Sequence, residues 1–243
     1  MSTSAKVTAR QRIENLLDDN SFVEIGAYVK ARNTDFNIQA KDTPSDGVIT
    51  GYGVINGGLV YVYSQDASVL GGSVGEMHAK KIASLYDMAM KTGSPVIGLI
   101  DSTGLRLQES VDGLNAFGQI YMKQSLASGV IPTVTAIFGN CGGGLSIVAG
   151  LSDFTFMEVE NAQLFVNSPN AITENRKEIC DNASAKFQSE EAGNVDFVGT
   201  EAEVIEGIRN LVSVLPSNNE DEASDLECYD DLNRAAEGIE NCG

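Results

Sequence analysis

A strand, a cluster of glycines and a helix follow one another without interruption between Ile131 and Met157, in IPTVTAIFGNCGGGLSIVAGLSDFTFM. The run from Val134 to Phe138 has the length and composition of a buried strand. Gly139, Asn140, Cys141, Gly142, Gly143 and Gly144 come next, and then Leu145, Val148, Ala149 and Leu151 recur at helical spacing. A chain that passes from buried strand to helix through glycine is committed to an α/β plan. It also leaves backbone N–H groups uncovered at a helix N-terminus, where the helix dipole favours negative charge. No Gly-Lys-Ser/Thr follows, so the pattern reads as an oxyanion hole rather than a phosphate cradle. An ordinary tight turn uses the same residues, and this stretch alone does not separate the two readings.

The rest of the chain supports the α/β assignment. Residues 7–17 read as a helix capped by Thr8, with Ile13, Leu16 and Leu17 on its apolar face. Residues 22–25 form a short extended segment, and residues 30–45 lack periodicity and read as a mobile loop. Residues 47–64 alternate in the strand manner on either side of Asn56-Gly57-Gly58, a strong hairpin signal. Leu70-Gly71-Gly72-Ser73 turns the chain into a helix over residues 76–91. A strand over 95–100 ends at Asp101-Ser102-Thr103-Gly104, and a helix over 115–127 leads back to the opening stretch. Strands are expected at 154–157 and 164–166, and an amphipathic helix at 201–215. Two glycine turns, residues 101–104 and 139–144, thus sit at the C-terminal ends of strands, where α/β sheets bind ligands. N–H groups from both, converging on one oxygen, would complete an oxyanion site.

Residues 217–243 carry nine acidic residues against Arg234 alone and few apolar ones. They read as an acidic linker or flexible tail after a domain of residues 1–216. The net charge of −18 over 243 residues argues against nucleic acid or anionic lipid as the main partner. No apolar run approaches a membrane span, and charges interrupt the N-terminal segment where a signal peptide would lie. Cys141, Cys180, Cys228 and Cys242 have no metal-ligand spacing, which suits reduced thiols in a cytoplasmic protein. His78 is the only histidine.

Five segments together carry a family resemblance: TARQRIENLLDDNSFVEIG, DGVITGYGVINGG, VYSQDASVLGGSVGEMHAKKI, PVIGLIDSTGLRLQES and ASGVIPTVTAIFGNCGGGLSIVAGLSDFTFM. In this order they resemble the N-terminal half of the carboxyltransferase component of biotin-dependent acyl-CoA carboxylases, the propionyl-CoA carboxylase beta type. The resemblance runs from about Thr8 to Asn219. It implies a crotonase-like β/β/α spiral that binds an acyl-CoA thioester. It also implies biotin on a partner carrier protein, the biotin carboxyl carrier protein, and a C-terminal carboxyltransferase half as a second partner. A homo-oligomer is implied as well, with the active site between halves of different subunits. Carboxyl transfer to the α-carbon then needs no general base from the protein, since the freed ureido nitrogen of biotin takes the α-proton. The chain must hold the thioester enolate oxygen with backbone N–H groups.

By the same resemblance Gly143 and Gly144 supply the oxyanion contacts. Gly71, Gly72, Ser102, Thr103, Gly104 and Arg106 are the candidate substrate contacts, and Gly71-Gly72-Ser73 either touches CoA or simply turns the chain. The family commonly has Ser-Gly-Gly-Ala-Arg where this chain has Ser102-Thr103-Gly104-Leu105-Arg106. It commonly has Gly-Pro-Cys-Ala-Gly-Gly-Ala where this chain has Gly139-Asn140-Cys141-Gly142-Gly143-Gly144-Leu145. Leu105 and Leu145 are therefore expected to narrow the acyl pocket. Several residues stay open between function and structure. Arg106 meets a CoA phosphate or pairs with Glu109 at i+3. Lys80 and Lys81 face phosphates or water. His78, and Cys141 at the helix N-terminus, are catalytic or merely packed. Asp101 and Glu109 form an acid/base pair or do not. Rival functions are a stand-alone crotonase-type hydratase or isomerase, which needs a carboxylate base beside the glycine turns, and a non-catalytic scaffold subunit.

Overall fold

The structure, a computed structural model, describes residues 7–32, 42–168 and 181–221, with 229–231, 233–235 and 238. In chain order the elements are α1 (Ala9–Leu16), β1 (Val23–Ile25), β2 (Val48–Ile55), β3 (Gly58–Gln65), α2 (Glu76–Thr92), β4 (Val96–Ser102) and α3 (Ser110–Ala127). They continue as β5 (Thr133–Gly142), α4 (Gly144–Leu151), β6 (Phe154–Glu158), β7 (Gln163–Phe165), β8 (Phe197–Gly199) and α5 (Glu201–Val214).

One mixed sheet runs in the order β1-β2-β3-β4-β5-β6-β8, and β7 pairs with β5 off this path. The β1–β2–β3 part is antiparallel, and every later pairing is parallel. The hairpin closes through Asn56-Gly57, both at positive φ (49° and 87°), the geometry an I′ turn demands. Strand β5 is longer than the apolar run suggested. Its first half pairs with β6, and Asn140, Cys141 and Gly142 go on to pair with β7. Most of the glycine cluster is therefore strand, and only Gly143 turns the chain.

Period-two alternation divides the sheet's side chains between two cores. Val96, Ile100 and Ile137 join Tyr63, Ile82, Leu85, Phe117 and Ile120 beneath α2 and α3. Ile97, Leu99, Val134 and Ala136 join Ile13, Leu16, Val204 and Ile208 beneath α1 and α5. Thr8 caps α1 as expected, and Thr200 caps α5 with a matching capping box to Glu203. Helix α3 starts well before the expected residue 115. Gly113, which reads as a breaker, is instead a packing glycine: a Cβ there would stand 2.8 Å from Leu105 Cδ1.

Two further expectations change. Residues 33–41 of the expected mobile loop lie outside the described residues, but its end is a buried turn. Ser45 and the adjoining Asp46 both sit at positive φ (52° and 49°) with little exposure. Of the acidic tail, Asn218 and Asn219 are tied down, through Asn218 Nδ2 to Gly93 O (3.0 Å) and Asn219 N to Val130 O (2.9 Å). Most of the tail, and Cys180, Cys228 and Cys242, lie outside the described residues. Among the described residues no helix is long and apolar enough to cross a membrane.

The fit between strand and core is tightest at Gly98, where a Cβ would stand 2.3 Å from the Tyr63 hydroxyl oxygen. Gly98→Ala is expected to destabilise the chain by about 1–3 kcal/mol through overpacking. Chemical denaturation against the parent measures this, and an unchanged midpoint would mean the Tyr63 ring moves freely.

Candidate active site

Beyond β3 and β4 the backbone makes two glycine turns that are stitched together. Thr103 N–H donates to Gly71 O (2.9 Å), and Ser102 Oγ donates to Gly72 O (2.7 Å) while accepting from Gly104 N–H (3.1 Å). Gly71 and Gly72 are at positive φ, and a Cβ on Gly72 would come within 2.4 Å of Asp101 O. Leu105 then forms a parallel bridge with Val74. Val74 N–H donates to Gly104 O (2.8 Å) and Arg106 N–H to Val74 O (2.9 Å). Strand alternation turns the Leu105 N–H to the opposite side.

A second turn lies on the neighbouring strand. Gly143 has φ +60°, and its N–H donates to Phe165 O (3.0 Å). That amide is spent on β7, so Gly143 supplies the bend and not the oxyanion contact expected of it. Ser146 N–H closes the first turn of α4 onto Gly143 O (3.1 Å). Gly144 opens α4, and its N–H has no acceptor among the described residues; nor does that of Leu105. The two strands are paired through Ser102 and Cys141, and each free amide lies three residues beyond its member of that pair. A Cβ on Gly104 would touch Gly142 O at 3.4 Å, so the two turns lie against each other. A cleft of about 480 Å3 opens beside them, lined by Leu70, Ser73, Thr103, Leu105 and Leu107.

Arg106 is 2% exposed, and four of the five N–H groups of its guanidinium have partners. Nη1 meets Asp46 Oδ1 (2.7 Å) and Glu109 Oε1 (2.8 Å), Nη2 donates to Ser73 O (2.7 Å), and Nε donates to Ser73 Oγ (3.2 Å). Asp46 Oδ2 in turn accepts the His78 N–H (2.8 Å). Arg106 thus makes the Glu109 pair that the sequence offered, with Asp46 as a second partner, and it also borders the cleft beside Ser73 and Thr103. Burial raises the Asp46 pKa against the lowering pull of Arg106.

The remaining titratable groups are structural too. His78 is completely buried, with Nδ1 2.9 Å from Asp46 O and Nε2 3.1 Å from Gln65 Nε2. A carbonyl oxygen only accepts, so Nδ1 carries the proton and Nε2 accepts from the amide. Burial, with Arg106 nearby, pushes the ring's pKa down to about 3, so it is neutral. Lys81 is buried rather than facing phosphate or water. It donates to Ser45 O (2.9 Å) and to Val48 O, and burial lowers its pKa to about 8. Lys80 makes a surface pair with Glu76 (2.7 Å). Burial pushes the Cys141 thiol up to about 12, which leaves no thiolate for attack. Asp101 meets Arg12 (3.3 Å) and Glu109 meets Arg106, so the two carboxylates belong to separate ion-pair clusters. Ser102 is buried in its stitch, and Leu145 points into the core, away from any acyl pocket. Thr103 and Leu105 line the cleft. The sequence reading missed the Leu105 amide, because a backbone N–H has no residue type to betray it. It also missed Asp46, hidden in a polar segment.

Residues 2–242 match the carboxyl transferase domain, and the chain belongs to that family. It is 44% identical over 234 residues to the methylmalonyl-CoA decarboxylase subunit alpha of Propionigenium modestum, covering 95% of this chain and 45% of that one. It is 40% identical over 233 residues to the propionyl-CoA carboxylase beta chain of Roseobacter denitrificans, covering 94% and 46%. Its fold superposes with a TM-score of 0.85, at 37% identity, on the transcarboxylase 12S hexamer solved with methylmalonyl-coenzyme A and methylmalonic acid bound. That match covers 90% of this chain and 44% of the other. The fold is crotonase-like, as the resemblance implied, and the chain spans about half the length of the relatives it matches.

Removing Arg106 would strand Asp46 and Glu109 in the interior, so Arg106→Met is expected to cost about 3–5 kcal/mol of stability. Equilibrium unfolding tests this, and a loss below about 1 kcal/mol would place the carboxylates in contact with water. His78 gives a pH signature. Its folded pKa lies below the unfolded value near 6.5, so its contribution is complete above pH 6.5 and is lost as pH falls toward 3. Between pH 6.5 and 5 the parent should lose up to about 1.4 kcal/mol per pH unit through this group, and His78→Asn should show a flatter slope. Parallel slopes for the two proteins would disprove the neutral buried ring.

Proposed function

We propose that this chain is the acyl-CoA-binding half of a biotin-dependent carboxyltransferase, moving a carboxyl group between biotin and the α-carbon of an acyl-CoA. The observation that carries the reading is the pair of unspent amides, Leu105 and Gly144, at adjacent strand ends beside a cleft. Their N–H groups face the thioester oxygen and hold its charge as the enolate forms, with no reorganisation at the moment of reaction. The donors are backbone groups at a bend that Gly143 fixes, so they are set before substrate arrives. Gly71, Gly72 and Thr103 shape the wall along which the pantetheine arm lies, and Leu105 closes the acyl end.

Among the described residues the chain offers no free proton acceptor here. His78 and Cys141 are buried, and Asp101, Glu109 and Asp46 are held by arginines. This is the arrangement a biotin reaction requires, since biotin on its carrier protein supplies both the transferable carboxyl and a basic ring nitrogen. It also speaks against a stand-alone hydratase or isomerase, which needs a free carboxylate at this place. In the proposal a C-terminal half binds the biotin side, and this chain without it does not turn over. The methylmalonyl-CoA named in two of the similar proteins makes a short branched acyl-CoA the leading substrate class.

The Gly144 amide can be removed without changing the helix plan, because proline suits the first position of a helix. A Cβ at Gly144 would meet the Tyr121 hydroxyl at 2.7 Å, so the hydroxyl is removed in both variants. In enzyme reconstituted with a C-terminal half and carboxylated carrier, Gly144→Pro with Tyr121→Phe should lower kcat about 100- to 1000-fold. Gly144→Ala with Tyr121→Phe carries the same Cβ and keeps the N–H, so it should stay close to the Tyr121→Phe rate. Equal rates for the two double variants would remove Gly144 from the oxyanion site. Robust malonyl-CoA or methylmalonyl-CoA formation by this chain alone would overturn the split-site proposal.

A further inference from the structure

The tip of the β2–β3 hairpin is an Asn-Gly pair, and side chains from α5 and from the end of α1 hold it. Asn56 and Gly57 are exposed, yet their polar atoms have partners. Arg209 of α5 donates through Nη1 to Leu16 O (2.6 Å), and through Nη2 to Asp18 Oδ1 (2.7 Å) and Asn56 Oδ1 (3.2 Å). The other Asp18 oxygen, Oδ2, accepts the Gly57 N–H (3.4 Å). Hydrogen bonds from Arg209 and from the Asn56 and Gly57 amides hold the Asp18 carboxyl below the ordinary carboxylate range, so it is ionised at neutral pH. The Asp18 N–H donates to Val54 O (2.8 Å), which ties the end of α1 to the hairpin.

Asn-Gly carries a reaction within itself, because no side chain on the glycine hinders its nitrogen. A bond forms between Gly57 N and Asn56 Cγ, the Cγ–Nδ2 bond breaks, and ammonia leaves with the proton that Gly57 N gives up. Water then opens the five-membered imide at either carbonyl, leaving aspartate or isoaspartate. No other asparagine in the chain precedes a glycine. Ring closure requires Gly57 N to eclipse Asn56 Cβ, which places the Asn56 ψ at about −120°, the value of a type II′ turn. The observed turn is type I′, with φ of 49° at Asn56 and 87° at Gly57. Its ψ at the first position is about +30°, which leaves the nitrogen nearly anti to Cβ. Both turns close the same two-residue hairpin, so a flip of the peptide between Asn56 and Gly57 interconverts them without moving the strands. That flip takes the Gly57 N–H away from Asp18.

We infer that Asn56 is a self-modification site that the Asp18–Arg209 pair keeps closed: where the pair lets go, the turn flips and Asn56 converts through the imide to aspartate or isoaspartate. The change is one-way. Isoaspartate adds a backbone atom inside a two-residue turn, and either product sets a second carboxylate against Asp18. The α1–α5 contact through Arg209 and Leu16 loosens with it. The site lies before β3, and the cleft lies beyond it, so the inference stands apart from the carboxyl-transfer reading.

Peptide mapping by mass spectrometry follows the gain of one mass unit at Asn56 while the full chain is held at neutral pH and body temperature. An isoaspartyl methyltransferase reports the isoaspartate share. Conversion proceeds at the rate of the open turn multiplied by the fraction open, so the parent should convert at least about 10-fold more slowly than the free peptide VINGGL. Arg209→Ala and Asp18→Ala should each raise the rate about 10-fold or more, with melting curves showing both variants folded at the incubation temperature. Ile208→Val loosens the neighbouring core of α5 without touching the pair, and should stay within about twofold of the parent. A parent that converts as fast as the peptide would overturn the inference, and that comparison needs no variant. So would Arg209→Ala and Asp18→Ala rates no higher than the parent's, or an Ile208→Val rate that rises with theirs.

Discussion

The buried cluster of Asp46, Arg106 and Glu109 ties three separate turns of the chain together. Arg106 belongs to the turn after β4, Asp46 to the left-handed turn before β2, and Ser73 to the turn before α2. Two carboxylates and one guanidinium in a dry interior are costly to desolvate. The cluster is tolerable because nearly every atom has a partner: Asp46 takes the His78 amide, and Arg106 takes both oxygens of Ser73. Its position explains its worth, since the residue before Arg106 carries one of the two free amides. Fixing the guanidinium fixes the peptide plane next to it.

The proposed site therefore rests on geometry and not on reactive side chains. His78 and Cys141 are enclosed and uncharged, and Lys81 is enclosed with its ammonium held by Ser45 O and Val48 O. Thr103, Leu105 and Leu107 line the cleft with uncharged side chains. A site of this kind tolerates side-chain change around it while its bends stay fixed, which accounts for the departures at Leu105 and Leu145 in a chain of the same fold.

The layers and element order were legible because their causes are local. The Asn56-Gly57 hairpin, the Thr8 cap and the alternation in β4 each rest on neighbours in sequence. What was hidden rests on distant contacts. Gly113 and Gly142 look like breakers, yet their role is to admit Leu105 and the ring of Phe165. Gly143 and Gly144 were read as equals, but pairing with Phe165 O separates them, and nothing short of the fold reveals β7. Asp46 was lost in a polar segment because its partner is 60 positions away.

Asn218 and Asn219 fasten the chain to Gly93 and Val130, which precede β4 and β5, whereas the free amides follow those same strands. At about 3.3 Å per residue, the ten residues of β5 separate the two poles by roughly 30 Å. The ties at Asn218 and Asn219 thus lie at the floor of the molecule and the cleft at its roof, so the two ends of the parallel strands are held by different parts of the chain.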